Sequence, residues 1–296
     1  MPSDPDYPAL IVREWQEYSA ERERAARAAA IATRFEMQST QAPLSLQPLR
    51  ERMAELYRGI EERHLSCARL HQNYARRLQR WLTGSRATSR PVFMSAVAAQ
   101  LGVDGAAITL FGPEREELLV AASDSTARTA HDLELTMEEG PARDVLNGND
   151  LVLAHPDELP VRWPHFGPAL TNLGVRAVLA VPLRSSGLLG AMCAYASRTE
   201  LHREIAPTAG QVADVLTNAV LLAPSPADSD GLGLGGALFE EADYLSNVHQ
   251  AVGKVAVQCG CDVDSAWALL RARAFASGIS VEELARQVVS GGHQLC

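Results

Sequence analysis

The sequence predicts an α+β protein in three parts: a helical N-terminal segment, a middle domain of one antiparallel sheet backed by helices, and a C-terminal three-helix bundle. Three observations carry that expectation. A 4-3 spacing of apolar residues runs from Leu49 to Trp81, strand patterns cluster in hairpins between residues 105 and 196, and residues 238–296 hold three helix patterns with readable ends.

The chain has 296 residues, a length that suggests about two domains. Its 47% hydrophobic and 21% charged residues are ordinary for a globular protein. A net charge of -9 argues against wholesale coating of nucleic acid and leaves room for a local site. The charge is uneven, with a net of +4 over residues 1–90, -8 over 91–222 and -3 over 238–296. No apolar run approaches the roughly 18 residues of a membrane span. Met1 to Leu10 is acidic and Pro-containing and lacks a signal core, so the chain reads as cytoplasmic with no membrane partner. The five cysteines are scattered, and no His or Cys pairs stand at metal-ligand spacing, so no metal site is expected. Cys259 and Cys261 read as two reduced thiols near a helix end.

Residues 1–84 form the first part. Glu14 to Met37 is rich in Ala, Arg and Glu, which are good helix formers. Gln41-Ala42-Pro43 and Pro48 then act as breakers. The following stripe is Leu49, Met53, Leu56, Ile60, Arg63, Cys67, Leu70, Tyr74, Arg77 and Trp81. It suits either a helix lying on its own domain or a coiled-coil seam between two copies. The narrowness of the stripe favours the seam, and with it a homodimer.

The second part spans 85–222. Pro91 to Leu101 reads as a helix, and Gly105 to Phe111 and Glu117 to Ala122 as a hairpin across Gly112-Pro113. A polar stretch follows, then a short helix from Pro141 to Asn147, with Pro in its favoured first position. Leu151 to Leu153 reads as a strand, and a loop holds Pro156, Pro160, Trp163 and Pro164. Gly174 to Leu183 and Gly187 to Ala196 are two stronger strands joined by a tight turn, and a helix from Glu204 to Leu222 closes the domain. Residues 223–237, rich in Pro, Ser and Gly, read as a flexible linker.

In the third part, 238–296, the first helix is expected from Leu238 to Gln258, with Leu238, Leu245, Val252 and Cys259 recurring every seven residues and Gly260 ending it. The second opens at Asp262 or Asp264 as N-cap and stops at Gly278. The third opens with Ser280 and Glu283, a capping box.

Glu139-Gly140-Pro141, Arg162-Trp163-Pro164, the run Gly174 to Arg184 and Gly187 to Ala196 resemble the GAF domains of actinobacterial antitermination regulators. Some relatives place a Cys after the Gly-Pro pair, where this chain has Ala142. Residues 238–291 resemble the ANTAR domain through Ala251-Val252-Gly253, Ala266-Trp267, Leu270-Arg271, Ala274, Leu284-Ala285 and Val288-Val289. The resemblance implies an RNA-binding antiterminator module that binds tandem hairpins in a nascent leader transcript, governed by a sensor for a small-molecule effector.

On that reading Ala251, Gly253, Ala266, Trp267, Leu270, Ala274, Ala285 and Val288 form the module's core. Lys254, Arg271, Arg273 and Arg286 are its only cations and the candidate RNA contacts, with Arg271 readable equally as an ion-pair partner of a carboxylate. Phe275 suits base stacking or packing. Trp163, Phe166, Met192 and Tyr195 are candidate walls of a ligand pocket, each also readable as plain core, and the ligand is unspecified. A net of -3 over the module disfavours a polyanion, so a protein-interaction module without RNA binding is the alternative. Nothing reads as a catalytic motif: there is no nucleophile elbow and no Cys-His pair in a recognisable context. A non-enzyme is expected.

Overall fold

The computed structural model describes residues 6–84, 90–199, 201, 204–222, 238–239 and 242–291. The expected linker at 223–237 lies outside them. No helix among these residues is long and apolar enough to cross a membrane.

Helix α1 (Tyr7–Gln41) starts at Asp6, whose carboxylate accepts the Ala9 N–H at 3.2 Å. Helix α2 (Gln47–Thr83) carries Pro48 in its first turn, where the missing N–H would be unpaired anyway. Pro43 therefore lies in the break between the helices, whereas Pro48 opens the second one. The two helices run antiparallel, with Ala25, Ala28 and Ala32 buried at their contact. Phe35 stacks on Tyr57 near one end, and Tyr7 meets Trp81 edge-on at the other. The expected seam divides. Cys67, Leu70 and Tyr74 are buried within this chain, while Leu49 and Leu56 are 49% and 55% exposed. Because α2 pairs with α1 of the same chain, the buried half of the stripe needs no second copy.

The middle domain follows in the order α3 (Phe93–Leu101), β1 (Gly105–Phe111), β2 (Glu117–Ala122), α4 (Ser125–Met137), α5 (Pro141–Leu146), β3 (Val152–Ala154), α6 (Leu159–Arg162), α7 (Phe166–Asn172), β4 (Ala177–Arg184), β5 (Leu188–Ala196) and α8 (Ile205–Leu221). The stretch after β2, expected as a polar connection, forms α4, and part of the expected proline loop forms α6 and α7. Every described strand pair is antiparallel, and the sheet order is β3-β4-β5-β1-β2-β6.

Alternation along β5 sorts the two faces. Met192, Ala194 and Ala196 point into a core shared with α2, α3 and α8, and Ala191, Cys193 and Tyr195 into a second core under α4 to α7.

The sixth strand, β6 (Asp243–Tyr244), comes from the C-terminal part and pairs with β2 at Leu119 and Val120. That pairing replaces the start of the expected first helix, so α9 (Ser246–Cys259) begins later than Leu238. Leu238 is buried, but in the core beside α8, outside the heptad assigned to it. Gly260 ends α9 in the left-handed region at φ 61°. Asp262 caps α10 (Val263–Ser277) by accepting the Ser265 N–H at 2.7 Å, and Gly278 (φ 65°) ends it. Ser280 caps α11 (Val281–Val289) through the Glu283 N–H at 3.1 Å. Cys261 is a free thiol, whereas Cys259 is disulfide-bonded, which corrects the expectation of two reduced thiols.

Candidate nucleic-acid interface

Helices α9, α10 and α11 close on a core of Ala251, Ala266, Leu270, Ala274, Ala285 and Val288, each fully buried. Trp267 is half-buried at its margin. Gly253 is exposed, and a Cβ there would meet nothing within 4 Å; its place is the helix surface, not the core. Two residues of the middle domain, Val120 on β2 and Leu135 on α4, belong to the same buried cluster. The small bundle thus completes its core against its neighbour, as its size requires.

The four candidate cations are in different situations. The Lys254 ammonium donates to the Val288 carbonyl at 2.8 Å and lies 3.4 Å from that of Val289, which satisfies the C-terminal end of α11. Arg286 pairs with Glu282 and Glu283 one turn back on its own helix. Arg273 is exposed. Arg271 is turned inward: its guanidinium meets Glu138 at 2.8 Å and sits 5.5 Å from the Trp267 ring centroid, with its side chain only 16% exposed. Burial pulls Arg271 below its usual pKa, against the attraction of Glu138.

Arg271 lies at the edge of a buried charged network in the middle domain. The Glu117 carboxylate sits 2.8 Å from His131 Nε2 and accepts from the Arg143 guanidinium, also at 2.8 Å. Burial opposes charge on Glu117, but His131, Arg143 and Arg271 hold it below the ordinary carboxylate range. Burial likewise opposes charge on His131, and is outweighed by Asp132 and Glu117, so its pKa rises to about 9. The Glu117 carbonyl lies 2.8 Å from His249 Nε2 on α9, and His249 meets Trp267 edge-on. A second contact joins Arg128 on α4 to Glu282 in the first turn of α11.

The module therefore offers two unlike faces. The inner one, with Arg271, Trp267 and His249, is covered by β2 and α4. The outer one carries Arg273 and the exposed Phe275, which is 67% accessible. Cationic and aromatic side chains are what unstacked bases and phosphates engage, and in this arrangement half of that equipment faces protein.

The candidate ligand walls also separate. Trp163, Phe166 and Tyr195 are buried together under α4 to α7, but Met192 lies on the opposite face of the sheet. Strand alternation predicts that split, since Met192 and Tyr195 are an odd number of residues apart. Glu134 and Cys193 belong to the same side as Tyr195, and buried Trp163 Nε1 and Arg143 Nε have no partner there. Glu134, Cys193 and Arg143, like Glu138, were not singled out from the sequence.

Two family profiles match this chain: the GAF domain over residues 91–220 and the ANTAR domain over residues 243–289. Among solved structures, the photoproduct state of GAF3 from Slr1393 of Synechocystis sp. PCC6803 is similar at 17% identity, over 43% of this chain and 87% of that one, with a TM-score of 0.34. The phycocyanobilin-bound GAF domain from a cyanobacterial phytochrome is similar at 18% identity, over 51% and 93%, with a TM-score of 0.33. No curated protein matches the chain.

Proposed function

From the premise that a GAF domain followed by an ANTAR domain makes this chain a GAF-ANTAR regulator, we propose that it is a transcription antiterminator. Its ANTAR module binds hairpins in nascent leader RNA, and its GAF domain controls access to that module. ANTAR domains are RNA-binding antiterminator modules and GAF domains are sensors; neither is a catalytic domain. The family match supports the RNA partner, and nascent RNA as target implies the cytoplasm.

The observation that supports control is the position of Arg271. A guanidinium held 2.8 Å from Glu138 and mostly buried is not available to a phosphate or a base edge. The arrangement described here is the closed one, and a signal in the GAF domain acts by freeing the module. Trp163, Phe166 and Tyr195 are the candidate walls for an effector. The exposed upper half of the α2 stripe, Leu49 and Leu56, is the candidate contact between copies.

The test is a titration of the full-length protein against leader RNA carrying two hexaloop hairpins, at two salt concentrations. Wild type, Arg271→Ala and Glu138→Gln are compared. Binding is expected to weaken with salt. Arg271→Ala should weaken it about tenfold, as loss of a charged contact does, and Glu138→Gln should strengthen it. If no variant binds RNA, including Glu138→Gln, the reading fails and the acidic module is a protein-interaction surface.

A further inference from the structure

The positive N-terminal segment meets the GAF domain at a cleft of about 890 Å³ on the outer side of β2. Its volume is that of a small-molecule site. It lies at the sheet edge, away from the core under α4 to α7. Among the described residues four arginines line it: Arg77 and Arg80 from the end of α2, Arg90 before α3, and Arg128 from α4. The one carboxylate among the described lining residues, Asp124, is already the N-cap of α4 and accepts the Thr126 and Ala127 N–H groups.

We propose that this cleft binds the phosphate group of a small molecule, and that Arg128 is shared between that phosphate and Glu282 of the ANTAR module. Arg77 donates to the Ser95 hydroxyl at 3.1 Å, and Arg80 makes only a long contact, 3.4 Å, to the Arg76 carbonyl on its own helix. Among the described residues neither guanidinium has a carboxylate within ion-pair distance. Arg77 is half-buried beside Arg80, and burial and that like charge pull its pKa down. A half-buried cation with no carboxylate partner and a second guanidinium beside it is stabilised when an anion joins them. Arginine's planar fork suits phosphate oxygens. The first turn of α3, which has no side-chain cap, presents Ser95 to the same space and adds a favourable dipole.

Arg128 gives the site its output. Its guanidinium pairs with Asp132 on α4 and with Glu282 on α11. A phosphate that draws Arg128 into the cleft competes with Glu282 and loosens an ion pair that joins the domains. The chemistry of the cleft is independent of whether the module binds RNA.

Isothermal titration of the full-length protein with inorganic pyrophosphate, and separately with adenosine diphosphate, tests this. One saturable site is expected. Affinity should fall at least tenfold in Arg77→Gln/Arg80→Gln, and equally in direction in Arg80→Gln alone should the double variant melt early. Arg34→Gln, an exposed charge on α1, should bind as wild type. Equal affinity for the two probes identifies phosphate alone as the recognised group; tighter binding of adenosine diphosphate identifies a nucleotide lying against Trp81. Glu282→Gln should tighten either probe, because the competing carboxylate is gone. No saturable binding of either probe, binding of RNA alone, or affinity within twofold of wild type after the arginine substitutions overturns the site. Unchanged affinity in Glu282→Gln overturns the sharing of Arg128.

Discussion

Glu134 carries a carboxyl group into the core under α4 to α7, where the Arg143 backbone N–H donates to it at 2.7 Å. Burial lifts its pKa from 4.5 to about 8. The folded protein therefore holds a proton that the unfolded chain releases once pH passes 4.5, and folding stability declines as pH rises from there to about 8. His131 adds to the same slope at its upper end. Its raised pKa contributes stability that is complete below 6.5 and is lost as pH climbs through about 9. The melting temperature is accordingly expected to fall between pH 5 and pH 9. Glu134→Gln should flatten the lower part of that fall, melt above wild type at pH 8 and be more stable there by on the order of a few kcal/mol. Melting curves of both proteins across this range decide it: a wild-type melting temperature that rises from pH 5 to 8, with the variant parallel, rules the assignment out. Gly140 serves the same carboxyl group. At φ 151°, a Cβ on it would lie 2.6 Å from the Glu134 carboxyl carbon, so Glu139-Gly140-Pro141 owes its glycine to a buried acid several residues earlier.

Among the elements, α1 and α2 are joined across their interface by two histidine–carboxylate hydrogen bonds. His71 Nδ1 lies 2.7 Å from the Glu14 carboxylate, and both side chains are almost wholly buried. His64 and Glu21 repeat the pairing at 2.6 Å two turns away. Removing one member leaves the other, a buried polar group, without its hydrogen-bond partner, at a cost of about 1–3 kcal/mol. His71→Ala is expected to destabilise by that amount in chemical denaturation. Glu14→Leu/His71→Leu should recover most of it, because well-packed apolar residues replace such pairs without loss. If the double variant is as unstable as the single one, the pair does not act in this way.

The elements also differ in how far the sequence announced them. The strands β1 and β2 and the caps at Asp262, Ser280, Gly260 and Gly278 follow from local chemistry that tertiary contacts reinforce. Helix α4 was hidden because its buried stripe contains His131 and Glu134 beside Ala127, Ala130 and Leu135; a hydrophobic period does not register a face that is part carboxylate and imidazole. The late start of α9 was hidden for another reason. Pairing of residues 243–244 with β2 is a contact between distant parts of the chain, and the heptad through Leu238 gave no sign of it. The same holds for Arg271: its type and spacing were readable, its partner Glu138 was not.

At the scale of the molecule, the sheet, α4 and the ANTAR module form one packed unit, joined by Val120 and Leu135 in a shared core and by the ion pairs of Arg128 with Glu282 and Arg271 with Glu138. Leu135→Ala should open a cavity costing about 2–5 kcal/mol, and much of that cost falls on the contact between domains. Hydrogen exchange is expected to speed up in α10 and α11 while α1 and α2 keep their protection. Uniform loss of protection through the whole chain would show instead that the three parts unfold together. The strand pairing beside this contact is short: β6 offers two residues, and the Leu245 N–H adds one more bond to the Leu118 carbonyl. When β6 leaves, β2 becomes a bare sheet edge, with backbone groups that accept any extended segment of the right register. The nearest supply of such a segment is β6 of another copy. Two chains open at the same moment can therefore exchange strands, each sheet completed by its partner's tail. Exchange of β6 is concentration-dependent, and dilution returns each strand to its own sheet.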